Sequence, residues 1–373
     1  MMLLVSGLLA AKIAPNEKLA TLPVALIIVG TACSTFPAAM AMRRLGRKRG
    51  GFLGLAAGLL ACLCGFQAAR GEAFGFLLLA SLLLGVSLAF GQQFRFAALE
   101  SVGDPANYGP ALSLFMTGGL IAAFVGPEVG ALGRDWIASP HGFAGSFVIL
   151  AGVILCAAGL FSLYREAPPA SEREVEAPRP LLAILRAPAF LLAASVAATS
   201  YIVMSFVMTA TPITMYEICG FTLDQTKRVI QSHIVAMYLP SLFSGWLMNR
   251  FGPGRLMLAG VVAYAAALVV GLQGRELMHF WGSLVLLGIG WNFLFASGTA
   301  LLPASYRPCE RFKVQASNDL VVFGSQAVAS LSAGWYLYSF SWNALLLSCG
   351  PFLLLAAGLA ARRCWSERVS TAG

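Results

Sequence analysis

Residues 204–208 read MSFVM and residues 233–237 read HIVAM, two pairs of donor side chains spaced four apart inside apolar segments. On a helix that spacing places both members of a pair on one face. Thioether sulfur is a soft ligand that suits Cu(I), and imidazole serves copper in either oxidation state. Neither donor need carry charge, and with no thiolate in the set a bound ion would remain free to leave. Met204, Met208, His233 and Met237 are therefore candidate ligands of a transit site for copper, provided the two faces meet. Packing is the alternative: methionine fills irregular apolar gaps, and a histidine between helices commonly bonds a neighbouring helix.

The elements that must carry these pairs are set by composition. The chain of 373 residues is 58% hydrophobic and 11% charged, against about 25% charged for a soluble domain. Apolar stretches of about 20 residues, long enough to cross a bilayer as helices, recur at 20–42, 50–69, 73–98, 109–133, 142–164, 184–216, 226–249, 253–273, 277–303, 314–338 and 341–362. The opening run MMLLVSGLLAAK lacks a basic flank and a small-residue cleavage site, so it does not read as a signal peptide. It reads as the end of a truncated first helix, and the expectation is a twelve-helix protein with an upstream start. Counting that fragment as helix one, MSFVM lies on span seven and HIVAM on span eight. Met208 and His233 then match in depth, as do Met204 and Met237, at about 1.5 Å per residue.

Of the 25 lysines and arginines, 17 fall on the even-numbered loops and the C-terminus, including Arg43, Arg44, Arg47, Lys48, Arg49, Arg307, Arg311, Lys313, Arg362 and Arg363, and seven fall on the opposite side. The positive-inside rule puts both termini in the cytoplasm. It also accounts for the net charge of +9 without a nucleic-acid partner. MRRLGRKR (42–49) and MNRFGPGR (248–255) align at a constant offset, matching Arg44, Gly46 and Arg49 with Arg250, Gly252 and Arg255. Between them lies YREAPPASEREVEAPRP (164–180), which reads as a cytoplasmic linker. The expected organisation is a helical bundle over 1–164 (helices 1–6), a linker over 165–180 and a second bundle over 181–373 (helices 7–12). Parallel repeats of this kind build transporters with a substrate site near the midplane.

These two loops resemble the loop signature of the major facilitator superfamily, in which a glycine is followed after three residues by an acid and then Arg-x-Gly-Arg. The second copy keeps Gly245, Arg250 and Gly252 but has Asn249 for the acid; the first has Ala39 and Arg43 where the glycine and acid are expected. The resemblance implies an all-α polytopic membrane fold of two six-helix bundles, with Arg44, Gly46, Asn249, Arg250 and Gly252 at its gating loops. A narrower resemblance follows. MSFVMTATP with SHIVAM, and also GQQFRFAA (91–98), GIGWNFLFASGTALL (288–302) and QASNDLVVFG (315–324), are similar to the CcoA-type copper importers, a branch that supplies copper for cytochrome oxidase assembly. That resemblance implies Met204, Met208, His233 and Met237 as metal ligands, with Cys219 as a thiol used during uptake. The chain departs from the branch at Val196 and Ser200, where such importers tend to carry cysteines, and a sister group resembling riboflavin importers shares much of the same sequence.

Polar groups inside spans are costly and mark function by default. Arg95, Glu128, Asn292, Asn318 and Asp319 belong to this class. Arg95 and Asp319 lie near the cytoplasmic ends of their spans, as a pair or as proton carriers. Glu128 follows Gly-Pro in AAFVGPEVG (122–130), a pattern similar to drug/proton antiporters. The remaining cysteines show no zinc or haem spacing. No HExxH, phosphate loop or nucleophile–base pair appears, so an enzyme is not expected, and no loop is long enough to provide the domain of a membrane sensor. The expectation is a monomeric bacterial inner-membrane importer of copper working by alternating access, with lipid around it, no resident cofactor, and a copper chaperone or oxidase assembly factor as partner. A riboflavin or other small-solute importer, or a drug/proton antiporter, is the alternative.

Overall fold

The computed structural model describes residues 2–15, 19, 22–102, 104–166 and 179–372. Among them every regular element is helical, as required where lipid offers no partner to backbone N–H and C=O groups. The α-helices are α1 (Met2–Ile13), α2 (Leu22–Leu45), α3 (Arg47–Gly71), α4 (Phe74–Gln92), α5 (Phe94–Glu100), α6 (Tyr108–Leu132), α7 (Ala144–Ser162), α8 (Leu181–Leu185), α9 (Pro188–Ile213), α10 (Leu223–Tyr238), α11 (Ser241–Phe251), α12 (Pro253–Gln273), α13 (Leu277–Leu301), α14 (Arg311–Ser339), α15 (Trp342–Ser348) and α16 (Gly350–Ala372). Many of them expose large apolar side chains, such as Leu63, Leu114, Leu160 and Leu354, as expected where the outer solvent is lipid. Ten helical segments among the described residues are long and apolar enough to span a bilayer. This is a multi-pass membrane protein.

The segment expected as one span over 226–249 is instead two helices. Proline has no N–H to donate and its ring crowds the preceding turn; α10 accordingly ends at Tyr238, and α11 begins at Ser241, just past Pro240. The span expected over 73–98 is interrupted at Gln93, where α4 gives way to α5. Most of the expected linker, residues 167–178, lies outside the described residues. At its end the Arg179 guanidinium donates to both carboxylate oxygens of Glu310, at 2.9 and 2.7 Å.

The chain divides into two compact units, one of residues Met1–Ala97, Phe124–Glu176 and Gln315–Ala327, the other of Ala98–Ala123, Ala177–Val314 and Val328–Gly373. The stretch Gln315–Ala327 of α14 thus counts with the first unit, and most of α6 with the second. The first has an apolar core built by Val5, Leu9, Ile27, Leu77, Phe143 and Phe147. In the second, α13 is the central helix, with α9, α10 and α12 each packed along it. Its sequence explains this. Glycine, alanine and serine recur along GIGWNFLFASG, and small residues let neighbouring backbones come close where no hydrophobic effect drives helices together.

Candidate functional site

In the second unit the break in α10–α11 is held by α13. Asn292 donates from Nδ2 to the Met237 carbonyl and to Ser241 Oγ, both at 2.7 Å, and Ser113 Oγ donates to the Ser241 carbonyl. The Met237 carbonyl, in the turn before the proline, is thereby satisfied by a side chain, the usual condition for a broken helix at membrane depth. One turn or two earlier, Gly288 lets α10 lie against α13: a Cβ there would meet the His233 carbonyl oxygen at 2.7 Å. His233, 1% exposed, points its Nδ1 at the Leu284 carbonyl at 2.7 Å. A carbonyl only accepts, so Nδ1 carries the hydrogen, and in the neutral form of the ring Nε2 is then a bare acceptor. Leu284, Gly288 and Asn292 are four apart and form the stripe of α13 that faces α10.

The adjoining stripe of α13 is aromatic. Trp291 stacks on Phe295 with ring centroids 5.0 Å apart and planes 20° apart. Tyr201 of α9 meets both edge-on, at 5.4 and 5.2 Å, and Tyr238, at the end of α10, meets Trp291 at 5.7 Å. Beside this box three buried polar atoms have no hydrogen-bond partner: His233 Nε2, Trp291 Nε1 and Asn292 Oδ1. Each such atom costs about 1–3 kcal/mol if left unmet, and unmet groups in native proteins are few and call for a reason. Two of these are acceptors and one, the indole N–H, is a donor. Together they suit a flat aromatic solute with hydrogen-bonding groups.

The expected donor pairs lie on α9 and α10, the helices that bring Tyr201 and Tyr238 to this box. Met204 and Met237 are buried and Met208 is half-buried. However, α9 and α10 pack chiefly on α13 rather than on each other, and His233 turns its ring toward α13. The positions expected to hold extra thiols, Val196 and Ser200, are fully buried, and the Ser200 carbonyl accepts a 2.6 Å hydrogen bond from Tyr264. Cys219 caps the π turn Thr214–Ile218 beyond α9, its N–H donating to Thr214.

The first unit contains a separate polar cluster. Arg95 and Asp319 form an ion pair with side chains 1% and 0% exposed. Asp319 also accepts from Gln93 Nε2 at 2.8 Å and Asn318 Nδ2 at 3.1 Å. The guanidinium reaches Gln92 Oε1 at 3.0 Å and lies 4.4 Å from the ring centroid of Phe96. Arg47 bridges the Gln93 carbonyl and Gln315 Oε1, both at 3.2 Å. Gln315, Asn318 and Asp319 are three and four apart on α14, and the interruption at Gln93 brings Gln93 and Arg95 to Asp319. Glu128 is exposed near the end of α6.

The repeated loops carry one device twice. Gly46 and Gly252 have φ of 85° and 83° with extended ψ, a region that side chains other than glycine scarcely enter. Each starts a helix whose second N–H is received by a glutamate: Lys48 N–H donates to Glu166 at 2.5 Å, and Gly254 N–H to Glu367 at 3.2 Å. A carboxylate at a helix N-terminus is favoured by the unpaired N–H groups and the dipole. Arg44, Asn249 and Arg250 are exposed beside these turns, and Gly245 lies against Gly109 at the start of α6.

The model of the Major Facilitator Superfamily matches residues 1–239 and 194–371, so that its two matches together span nearly the whole chain. The chain belongs to the major facilitator superfamily. It is 38% identical over 358 residues to the riboflavin transporter RfnT of Brucella anthropi, covering 94% of this chain and 87% of that one. It is 30% identical to the uncharacterized MFS-type transporter YdeG of Bacillus subtilis, over 94% and 85% of the two chains. Among solved structures, the fucose:proton symporter FucP matches with a TM-score of 0.73 at 16% identity over 97% and 96% of the chains, and the human organic anion transporter MFSD10 with 0.71 at 14% over 94% and 87%. These likenesses show the major facilitator fold.

The relatives are transporters. The narrower likeness to CcoA-type copper importers is not supported: the curated relative with a stated substrate is a riboflavin transporter, the sister group left open by the sequence. The i,i+4 spacing behind the copper reading fixes a face within a helix and says nothing of what that face meets. Three features of the site went unrecognised in the sequence. Pro240 in MYLPSL was visible as a helix breaker. Trp291 and Phe295, four apart in GWNFLF, were visible as an aromatic stripe. The pairing of Glu166 and Glu367 with the two loop glycines had no local signal.

Proposed function

We propose that this major facilitator transporter imports riboflavin, or a solute of the same chemical type, across a bacterial inner membrane by alternating access. The observation that carries the reading is the aromatic box of Tyr201, Tyr238, Trp291 and Phe295, bordered by three unmet buried polar atoms at a broken helix. Stacking on rings and a few fixed hydrogen bonds are the common means of binding a flat heterocycle. Discontinuous helices recur at the substrate sites of transporters. The likeness to a riboflavin transporter supports the same substrate class. The excess of basic residues on one set of loops supports cytoplasmic termini. Under this reading the methionines of MSFVM and HIVAM are apolar walls of the site, and no separate metal partner is needed.

The test is expression in a bacterium that can neither make nor import riboflavin. Growth on low riboflavin and saturable uptake of labelled riboflavin are expected, with no change in cellular copper. Copper accumulation without flavin uptake would overturn the proposal in favour of the metal reading.

A further inference from the structure

Resting on the flavin reading above, we infer that His233 and Asn292 recognise the polyol tail of the substrate and that the aromatic box takes the ring. The direction of the hydrogen bonds decides this. His233 uses Nδ1–H on the Leu284 carbonyl, and Asn292 uses its amide hydrogens on Met237 and Ser241. What remains on each is an acceptor, His233 Nε2 and Asn292 Oδ1, both buried and unmet. A ligand must therefore bring donors to both. The flavin ring system carries a single N–H among several carbonyl and ring-nitrogen acceptors, so it can serve one of the two at most. The ribityl tail carries a row of hydroxyls, each able to donate.

Both acceptors lie along the contact of α10 with α13, His233 anchored at Leu284 and Asn292 at Met237, where successive hydroxyls of a chain-like group can serve them in turn. Trp291 precedes Asn292 and supplies an unmet donor, Nε1–H, which suits a ring carbonyl. The ring then lies by Trp291, Phe295 and Tyr201, and the tail runs along α10 towards His233.

The experiment compares riboflavin with lumiflavin, which keeps the ring and its N–H but has a methyl group in place of the polyol. Labelled riboflavin uptake is measured in cells carrying the wild type or His233→Asn, with each unlabelled flavin as competitor. The asparagine amide reaches the Leu284 carbonyl from the place of Nδ1 but has no atom at Nε2. On the wild type, lumiflavin should compete at least tenfold more weakly than riboflavin. In His233→Asn the apparent KM for riboflavin should rise about tenfold, the effect of one lost hydrogen bond, while competition by lumiflavin is unchanged. Equal competition by the two flavins on the wild type overturns the inference, whether or not the variant folds. A variant that weakens both flavins alike also overturns it, placing His233 on the ring. Absence of any riboflavin uptake by the wild type is the distinct result that removes the flavin reading and this inference with it.

Discussion

Arg95 and Asp319 offer a test of the fold that does not depend on the substrate. Their side chains are 1% and 0% exposed, so neither water nor salt screens them. Arg95→Met leaves the Asp319 carboxylate with two amide donors, from Gln93 and Asn318. Asp319→Asn leaves the guanidinium with Gln92 and the faces of Phe96 and Phe323. Removing one partner of a buried pair strands a charge and costs about 3–5 kcal/mol. Replacing both by apolar residues of similar volume is often nearly neutral, so Arg95→Met/Asp319→Leu should recover most of the loss. The coupling in the double-mutant cycle should be about 3 kcal/mol or more in favour of the double variant. The assay is thermal unfolding of the purified transporter in detergent, followed by loss of its monodisperse peak. Single variants that melt with the wild type, or effects that simply add, would refute the claim that the pair is buried and mutually dependent.

Trp291→Ala should lower riboflavin uptake at least tenfold at unchanged protein level, because the box loses the ring that three others contact; uptake equal to wild type would remove the box from the site. Met204→Leu, a near volume-conserving change that costs under about 1.5 kcal/mol, should keep uptake within a few-fold, whereas abolished transport would return the thioether to the role of ligand. Gly252→Ala should destabilise the protein by about 1–3 kcal/mol, since a side chain there meets both a forbidden φ and the Glu367 carboxylate at 2.7 Å; a melting temperature equal to wild type would show that the loop relaxes freely.

The membrane class was legible because it depends on amounts and lengths. A chain with 11% charge and apolar runs of span length has no soluble way to bury its surface. The span edges read from hydropathy fall close to the helices observed, from α2 at Leu22–Leu45 to α13 at Leu277–Leu301. The repeat of Arg44, Gly46 and Arg49 in Arg250, Gly252 and Arg255 was legible for the same reason: both turns need glycine at a positive φ. Asp319 and Arg95 stood out as intramembrane charges able to pair with each other, as they do.

What the sequence could not decide is which faces meet. MSFVM and HIVAM each define a stripe, but only the packing of α9 and α10 on α13 determines that His233 answers to the Leu284 carbonyl. The orphan acceptors arise the same way, since an atom is unmet only in relation to neighbours drawn from distant parts of the chain. Composition and period are local sums along the chain and so survive in the sequence; partnership is a property of three-dimensional contact, which the sequence encodes only through the whole fold.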